Sequence, residues 1–160
     1  MDRSDNENEN DELKLNSDAS LKKLLAPDGS TFCLYLNLKE TIMLSCKVYK
    51  YNKRLKRQER TLLITSRYLY NIDRQGFFAK IGAVFSASSQ IKRKIDICKI
   101  GGITMSEVSS EFVIHVPEEY DYRYGSPDKR DKILLCITRV YSQCTNGSML
   151  AFYFKAYHSL

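Results

Sequence analysis

The sequence predicts a mainly β domain in which seven short antiparallel strands are followed by one amphipathic helix. Short apolar or alternating segments recur between turn signals over residues 47–124, which is typical of strands in an antiparallel sheet. A capped segment with apolar residues at helical spacing follows them. The chain has 160 residues, of which 43% are hydrophobic, and this is enough for one domain with one core.

The N-terminal region is expected to lie outside the sheet. The first twelve residues hold six carboxylates against one arginine, and a stretch of this composition buries too little apolar surface to fold. Residues 1–11 are therefore predicted to be disordered. Residues 12–38 are predicted to form a short helix and an apolar strap. The domain itself is assigned to 39–145, and 146–160 is an apolar C-terminal extension.

The first three strands follow from alternation and from turn residues. The segment around Val48 and the segment Thr61–Ile64 flank a basic loop, so they are predicted to form a hairpin. Tyr68–Ile72 comes directly after Ser66-Arg67 and is expected to pair antiparallel with the second strand. Residues 74–90 show little pattern and are predicted to be an inserted loop.

Four more strands are predicted after this loop, namely Ile91–Ile97, Ile103–Met105, Phe112–Val116 and Tyr120–Tyr124. In the first of them Ile95 and Ile97 are expected to point inward together with Ile91. Arg93 shares their parity, so the first half of that strand is expected to extend beyond the core. Gly101-Gly102 permits a bend after it.

A C-terminal helix is predicted from about Ser126 to Gln143. Ser126 is a suitable N-cap, Pro127 suits the first helical position, and Asp128 and Asp131 suit the positive end of the helix dipole. Apolar residues then recur at helical spacing: Ile133, Leu134, Ile137, Val140 and Tyr141. Asn146-Gly147 is expected to end the helix.

The first hairpin carries the most informative charge pattern in the chain. Its basic residues are Lys50, Lys53, Arg54, Lys56, Arg57 and Arg60. Charge of one sign at this density opposes folding of the loop through repulsion, so it predicts a site for an anion. Lys50 and Arg60 would lie close together across the ladder if their side chains face the same side. A solvated hairpin tip is the plainer alternative.

A second basic cluster is formed by Lys92, Arg93 and Lys94. If their strand lies beside the first hairpin, the cluster extends the anion site. The alternative is an edge strand on which the charges discourage aggregation. Tyr120, Tyr122 and Tyr124 also share one face, either as a strip for a protein partner or as part of a half-buried strand.

The sequence holds no recognisable catalytic or metal-binding constellation. No Ser-His-Asp set, Cys-His pair, zinc-protease motif or phosphate-binding loop can be assembled, so we predict a non-catalytic domain without cofactor or metal. The five cysteines form no C-x-x-C pair, which favours reduced thiols in a cytosolic protein. No apolar run is long enough to cross a bilayer, and no signal peptide is recognisable.

Two segments resemble the tail homology domain of class I myosins. The segment KYNKRLKRQERTLLIT, residues 50–65, is similar to the start of that domain, and IKRKIDICKIGGITMSEVSSEFVIHV, residues 91–116, is similar to its central block. The resemblance extends from about Cys46 to Tyr141. The segment VPEEYDYRYGSP, residues 116–127, resembles the pleckstrin-homology-like (PH-like) modules of protist protein kinases.

The resemblance and the element order together imply a PH-like fold, a bent seven-stranded antiparallel sandwich with one end capped by the C-terminal helix. In the myosin tails such a domain binds acidic membrane lipids, particularly phosphoinositides, through a lysine before the first loop and an arginine in the second strand. The matching positions here are Lys50 and Arg60. The resemblance thus implies a peripheral membrane protein of the cytoplasm that binds anionic membrane surfaces.

The sequence also permits other functions. A PH-like scaffold could also serve as a protein-interaction or autoinhibitory domain without lipid specificity, since a fold does not fix a function. Nucleic acid is an unlikely partner, because the basic loop lacks interleaved aromatic residues. The acidic start and the apolar end suggest part of a larger protein. A domain that begins at Met1 favours a kinase parent with a downstream domain as a possible partner, and the acidic segment could mask the basic hairpin.

Overall fold

The computed structural model describes residues 40–73 and 91–156. The predicted disordered start 1–11, the predicted helix and strap 12–38 and the predicted inserted loop 74–90 lie outside the described residues. The elements in chain order are β1 Ile42–Tyr51, β2 Arg57–Thr65, β3 Tyr68–Ile72, β4 Ile91–Asp96, β5 Gly102–Ser106, β6 Glu111–His115, β7 Tyr122–Gly125, α1 Arg130–Cys144 and β8 Phe152–Lys155. Seven strands followed by a helix is the predicted order, so the mainly β, PH-like fold class is confirmed.

Contacts divide the chain into two compact units. The first unit comprises Met1–Cys46 and Thr61–Ile95, and the second comprises Lys47–Arg60 and Asp96–Leu160. Strands β1 and β2 therefore contribute residues to both units. The tip of the basic hairpin belongs to the second unit.

The first unit has the strand order β4-β3-β2-β1, so β4 is its outer strand. Strands β2 and β3 pair antiparallel with Ile64 opposite Leu69, as the tight connection at Ser66-Arg67 predicts. The core of this unit contains apolar side chains that are 2% exposed or less, among them Leu44, Leu62, Leu63, Ile64, Leu69, Ile72 and Ile95. Burial of this kind contributes about 1.5–3 kcal/mol for each large apolar side chain.

The β2–β3 corner is fixed by a hydroxyl group. Thr65 Oγ1 donates to Glu40 Oε2 at 2.8 Å and accepts from the backbone N of Tyr68 at 3.0 Å. A buried hydroxyl with partners avoids the penalty of an unsatisfied polar group. Burial, followed by the negative charge of Glu40, raises the pKa of Tyr70 well above its ordinary value.

In the second unit β1 pairs with β7, β7 with β6, and β6 with β5, all antiparallel. The inner face of these strands is apolar and aromatic, with Ile103, Phe112, Ile114, Tyr122 and Tyr124 fully buried. The β1–β7 pairing joins segments that are far apart in the sequence. It brings the basic hairpin beside the tyrosine strand.

The helix α1 closes the core of the second unit. It buries Ile133, Leu134, Ile137 and Val140, as the helical spacing predicts, and packs against a 3₁₀ turn at Ile97–Lys99. Its first residue is Arg130, so the predicted start at Ser126 is wrong. Ser126 directly follows β7, and a turn at residues 127–129 separates it from the first helical residue.

The end of α1 agrees with the prediction. The backbone N of Thr145 donates to Tyr141 O at 2.9 Å, and Asn146 and Gly147 follow with φ angles of 53° and 90°. These left-handed angles suit asparagine and glycine and stop a right-handed helix. An Asn-Gly pair therefore ends the helix at the predicted place.

The C-terminal extension contains an additional strand that the sequence did not predict. Strand β8 pairs parallel with β5, with Ile103 opposite Phe152. A Cβ atom at Gly102 would lie 2.8 Å from Tyr153 Cε2, so a larger residue there would displace the Tyr153 ring. Tyr153 and Phe154 are 54% and 61% exposed, which leaves an aromatic outer strand on this unit.

Candidate functional site

The basic loop between β1 and β2 is held in one conformation by Asn52. Its side-chain Oδ1 accepts hydrogen bonds from the backbone N of Arg54 and of Lys56, both at 2.9 Å. Its backbone O accepts from Leu55 N at 2.9 Å. Such asparagine-centred turns compensate backbone donors that would otherwise be unpaired. The loop is therefore ordered in spite of its repelling charges.

The register of the hairpin places Lys50 and Arg60 on the same face. Asn52 N donates to Lys56 O at 3.1 Å, so these two residues lie opposite each other. Side chains alternate along each strand and opposite residues share a face. Counting outward from this pair, Lys50 and Arg60 lie on the face of Val48, which is 2% exposed. They thus border the core of the hairpin.

The other face of the hairpin carries a different set of charges. Arg57 Cζ lies 4.3 Å from the ring centroid of Tyr49. Lys47 Nζ lies 3.4 Å from Glu59 Oε1. These side chains point away from the Lys50 face, so Arg57 is separated from Lys50 and Arg60 of the predicted basic cluster.

Lys50 lies beside three tyrosines of the second unit. It lies opposite Tyr124 in the β1–β7 pairing, and its Nζ is 5.8 Å from the ring centroids of both Tyr120 and Tyr122. Lys53 Nζ is 5.5 Å from the Tyr120 ring. The rings of Tyr120 and Tyr122 lie 4.6 Å apart. Electron-rich ring faces attract ammonium groups, so this aromatic wall positions both lysines.

Arg60 is oriented by its neighbours on the same strand. Its Nη2 donates to Gln58 Oε1 at 3.0 Å and its Nη1 donates to Glu59 O at 2.9 Å. These contacts hold a planar, permanently charged group on the half-buried face. The remaining bases of the predicted set, Lys53, Arg54, Lys56 and Arg57, are exposed.

The second predicted cluster lies in the first unit. Lys94 Nζ is 3.8 Å from the ring centroid of Tyr68, and Lys92 Nζ is 3.9 Å from Asp73 Oδ2. Lys92 and Arg93 are exposed on β4, the outer strand of this unit. The position of β4 favours the edge-strand interpretation.

The structure shows which tyrosines on the predicted tyrosine face are buried. Tyr122 and Tyr124 are fully buried and only Tyr120, at 36% exposure, reaches solvent, which favours the half-buried strand over a partner strip. The period-two pattern identified this face correctly. The position of Lys50 beside this face depends on the β1–β7 pairing, and such long-range pairing has no local signal in the sequence.

His115 connects three parts of the second unit. Its Nε2 lies 2.6 Å from Thr104 Oγ1, and its Nδ1 lies 2.9 Å from Asp121 Oδ1. A hydroxyl, an imidazole and a carboxylate in this order also occur in hydrolases. Thr104 is only 7% exposed, however, so its hydroxyl is shielded from a substrate. The contact instead fixes the connection that carries Tyr120.

A buried ion pair lies on the outer face of the same strands. Arg123 Nη2 donates to Glu111 Oε2 at 2.7 Å, and the two side chains are 13% and 12% exposed. Arg123 Cζ lies 4.5 Å from the Tyr51 ring centroid. Burial, and then a hydrogen bond with Glu111, raises the pKa of Tyr51. This network fixes the base of the hairpin against β7.

Residues 40–73 and 91–156 contain no group of three or more potential ligands that could hold a metal ion. No disulfide is formed by the cysteines in this part of the chain, Cys46, Cys98, Cys136 and Cys144. None of the described helices is long and apolar enough to cross a membrane.

Comparison with known proteins identifies the family. Residues 9–155 match the family described as unconventional myosin tail, actin- and lipid-binding. The myosin IA heavy chain of Dictyostelium discoideum is 32% identical over 115 residues, which cover 71% of this chain. The chain spans 11% of the length of that relative.

Among solved structures, the C-terminal PH domain of pleckstrin aligns with 63% of this chain and 98% of its own, at 17% identity and a TM-score of 0.47. The same domain in complex with D-myo-Ins(1,2,3,5,6)P5 aligns with 63% of this chain and 96% of its own, at 15% identity and a TM-score of 0.48. The family match confirms the resemblance drawn from residues 50–65 and 91–116. The chain therefore belongs to the unconventional myosin tail family, which is described as actin- and lipid-binding.

Proposed function

We propose that this domain is a non-catalytic module that binds anionic phospholipid membranes through the β1–β2 hairpin, with phosphoinositide headgroups as the preferred ligands. The observation that carries the proposal is the shared face of Lys50 and Arg60 beside an ordered loop of exposed bases. The family description as lipid-binding supports it.

Lys50 and Arg60 have a different task from the exposed bases in this proposal. Lys50 is held against tyrosine rings and Arg60 is oriented by Gln58, so both charges are positioned before a ligand arrives. Arginine can bind a phosphate group through two parallel hydrogen bonds, while lysine supplies a compact charge. These two residues would bind the headgroup phosphates and determine selectivity.

The exposed bases supply general attraction to the membrane. Lys53, Arg54, Lys56 and Arg57 are all exposed on the loop. Each base near an anionic leaflet contributes about 1 kcal/mol. After screening by salt and the cost of ordering, the whole set corresponds to an affinity of about micromolar to sub-millimolar.

Vesicle co-sedimentation tests the proposal. Vesicles of phosphatidylcholine with phosphatidylserine should bind weakly, and addition of a phosphatidylinositol bisphosphate should strengthen binding beyond the effect of matched charge. Soluble inositol polyphosphate should displace the protein more effectively than duplex DNA at equal phosphate concentration. Absence of binding to phosphoinositide vesicles at low salt would contradict the proposal.

A second candidate function is a protein contact at β8. Tyr153 and Phe154 are exposed on an outer strand, and such a strand can add a strand of a partner. This would make the domain an interaction or autoinhibitory module of a larger protein, and a kinase parent stays a prediction. Substitution of Tyr153 and Phe154 by Thr should leave vesicle binding unchanged and abolish capture of such a partner.

The assignment of the domain to residues 39–145 also remains a proposal.

A further inference from the structure

Leu55 occupies an unusual position at the tip of the basic hairpin. Leu55 is 67% exposed and lies between two exposed charged residues, Arg54 and Lys56. A large apolar side chain that is exposed to water at this position contributes little burial energy to the fold. The exposed leucine would be explained if the loop enters an apolar environment when the domain binds its ligand.

The backbone of Leu55 supports this interpretation. Its φ angle of 59° lies in the left-handed region, where a leucine is strained. Among residues 40–73 and 91–156, the other non-glycine residue with a positive φ is Asn146, a residue type that tolerates this conformation. A glycine or asparagine at position 55 would be easier to accommodate, so the apolar side chain is retained at a cost.

The loop holds Leu55 outward. Leu55 N donates to Asn52 O, and Asn52 Oδ1 binds the backbone N of both neighbours, Arg54 and Lys56, at 2.9 Å. These bonds fix the backbone that directs the Leu55 side chain into solvent. The tip is therefore a fixed apolar point within a ring of exposed bases.

We propose that Leu55 inserts into the acyl boundary of an anionic bilayer while the surrounding bases bind headgroup phosphates. This inference rests on the proposed membrane function and adds a second, apolar component to it. A bilayer is the one partner that offers phosphates at its surface and hydrocarbon directly beneath them. A soluble inositol phosphate or a nucleic acid duplex would contact the bases and leave Leu55 in water.

The first test removes the apolar side chain without straining the turn. Leu55→Asn keeps the left-handed conformation and the loop charge. Its affinity for vesicles of phosphatidylcholine, phosphatidylserine and a phosphatidylinositol bisphosphate should fall by about fivefold to tenfold, because part of a leucine burial is lost. Affinity for soluble inositol hexakisphosphate should stay the same. The loss should persist at high salt, since apolar insertion is not screened.

The second test places a reporter at the tip. The chain has no tryptophan, so Leu55→Trp introduces a single indole. On vesicle addition its emission should shift to the blue, and phospholipids with brominated acyl chains should quench it. Met149→Trp is a matched control, because Met149 is apolar and 92% exposed outside the hairpin. The control indole should show neither effect.

The outcomes separate this inference from the proposed function. If the wild-type chain fails to bind vesicles, both are overturned. If it binds and Leu55→Asn binds equally well, or the indole at position 55 is not quenched by brominated lipid, insertion alone is overturned. Equal loss of vesicle and soluble-ligand binding in Leu55→Asn would also overturn insertion, because it would indicate a role in loop conformation.

Discussion

Lys50 and Arg57 lie on opposite faces of one hairpin. Lys50 shares a face with buried Val48 and has its Nζ 5.8 Å from the Tyr122 ring, whereas Arg57 Cζ lies 4.3 Å from the Tyr49 ring on the other side. Charge density in the sequence does not distinguish the two. In the proposed function, Lys50 binds a specific headgroup and Arg57 supplies general attraction.

Tyr120 should be a positioning residue for Lys50 and Lys53. Tyr120→Leu removes the ring that lies 5.8 Å and 5.5 Å from the two ammonium groups. We expect the preference for phosphoinositide over phosphatidylserine vesicles to fall by about threefold to fivefold, since a cation–π contact contributes about 0.5–1 kcal/mol at an exposed site. Tyr120→Phe keeps the ring and should retain the preference. Equal behaviour of the two variants in co-sedimentation would contradict this role.

Asn52 should stabilise the loop through its side chain. Asn52→Ala removes the acceptor for the backbone N of Arg54 and Lys56. The free energy of unfolding in urea should fall by about 1 kcal/mol, because both donors then depend on water. Asn52→Asp retains the acceptor and serves as the control. An unchanged urea midpoint in Asn52→Ala would show that the turn does not depend on this amide.

The ion pair of Arg123 and Glu111 should be important for stability. Glu111→Ala leaves a guanidinium that is only 13% exposed without its carboxylate, and this should lower the free energy of unfolding by about 3–5 kcal/mol. Replacing both residues, Glu111→Leu with Arg123→Met, should be much less harmful because no buried charge remains. Thermal unfolding of both variants measures the difference. A loss below about 1 kcal/mol in Glu111→Ala would be inconsistent with a buried pair.

Stability should decrease at alkaline pH because of the thiols. Burial raises the pKa of Cys136 from its ordinary 9.0 to about 11, and burial with a hydrogen bond to Cys144 raises the pKa of Cys98 to about 12. The unfolded chain loses these protons first, so the stabilisation is complete below pH 9.0 and is lost as pH rises to about 11.

The alkaline effect can be measured by urea unfolding between about pH 8 and about pH 10. The free energy of unfolding should fall with pH, and Cys136→Ala should show a smaller slope than the wild-type chain. Parallel slopes in the two proteins would contradict a contribution from Cys136. Because thiolates react with alkylating agents and thiols do not, both cysteines should also be alkylated slowly near neutral pH.

Local patterns in the sequence were sufficient for most of the elements. Strand β3 occupies the predicted residues Tyr68–Ile72, and the apolar face of α1 is the predicted one. Alternation and helical spacing report burial directly, so they locate elements well. The start of α1 was misplaced because the chain forms a turn at residues 127–129 before the helix begins at Arg130, and the local capping signal at Ser126 did not reveal this turn.

Long-range pairing accounts for what the sequence could not provide. Strand β8 pairs with β5, and β1 with β7, across large separations in the chain. The aromatic wall beside Lys50 results from the second of these pairings. The basic hairpin was recognisable from charge alone. The division of its charges between two faces, and the exposure of Leu55 at its tip, required the register and the turn geometry.

The most direct measurement is the phosphoinositide selectivity of two double variants. Lys50→Ala with Arg60→Ala and Lys47→Ala with Arg57→Ala each remove two positive charges from the hairpin, but from opposite faces. Both should weaken binding to phosphatidylserine vesicles. Only Lys50→Ala with Arg60→Ala should abolish the additional affinity for phosphoinositide vesicles in co-sedimentation. Equal loss of selectivity in both variants, or its retention in Lys50→Ala with Arg60→Ala, would contradict a headgroup site on the Lys50 face.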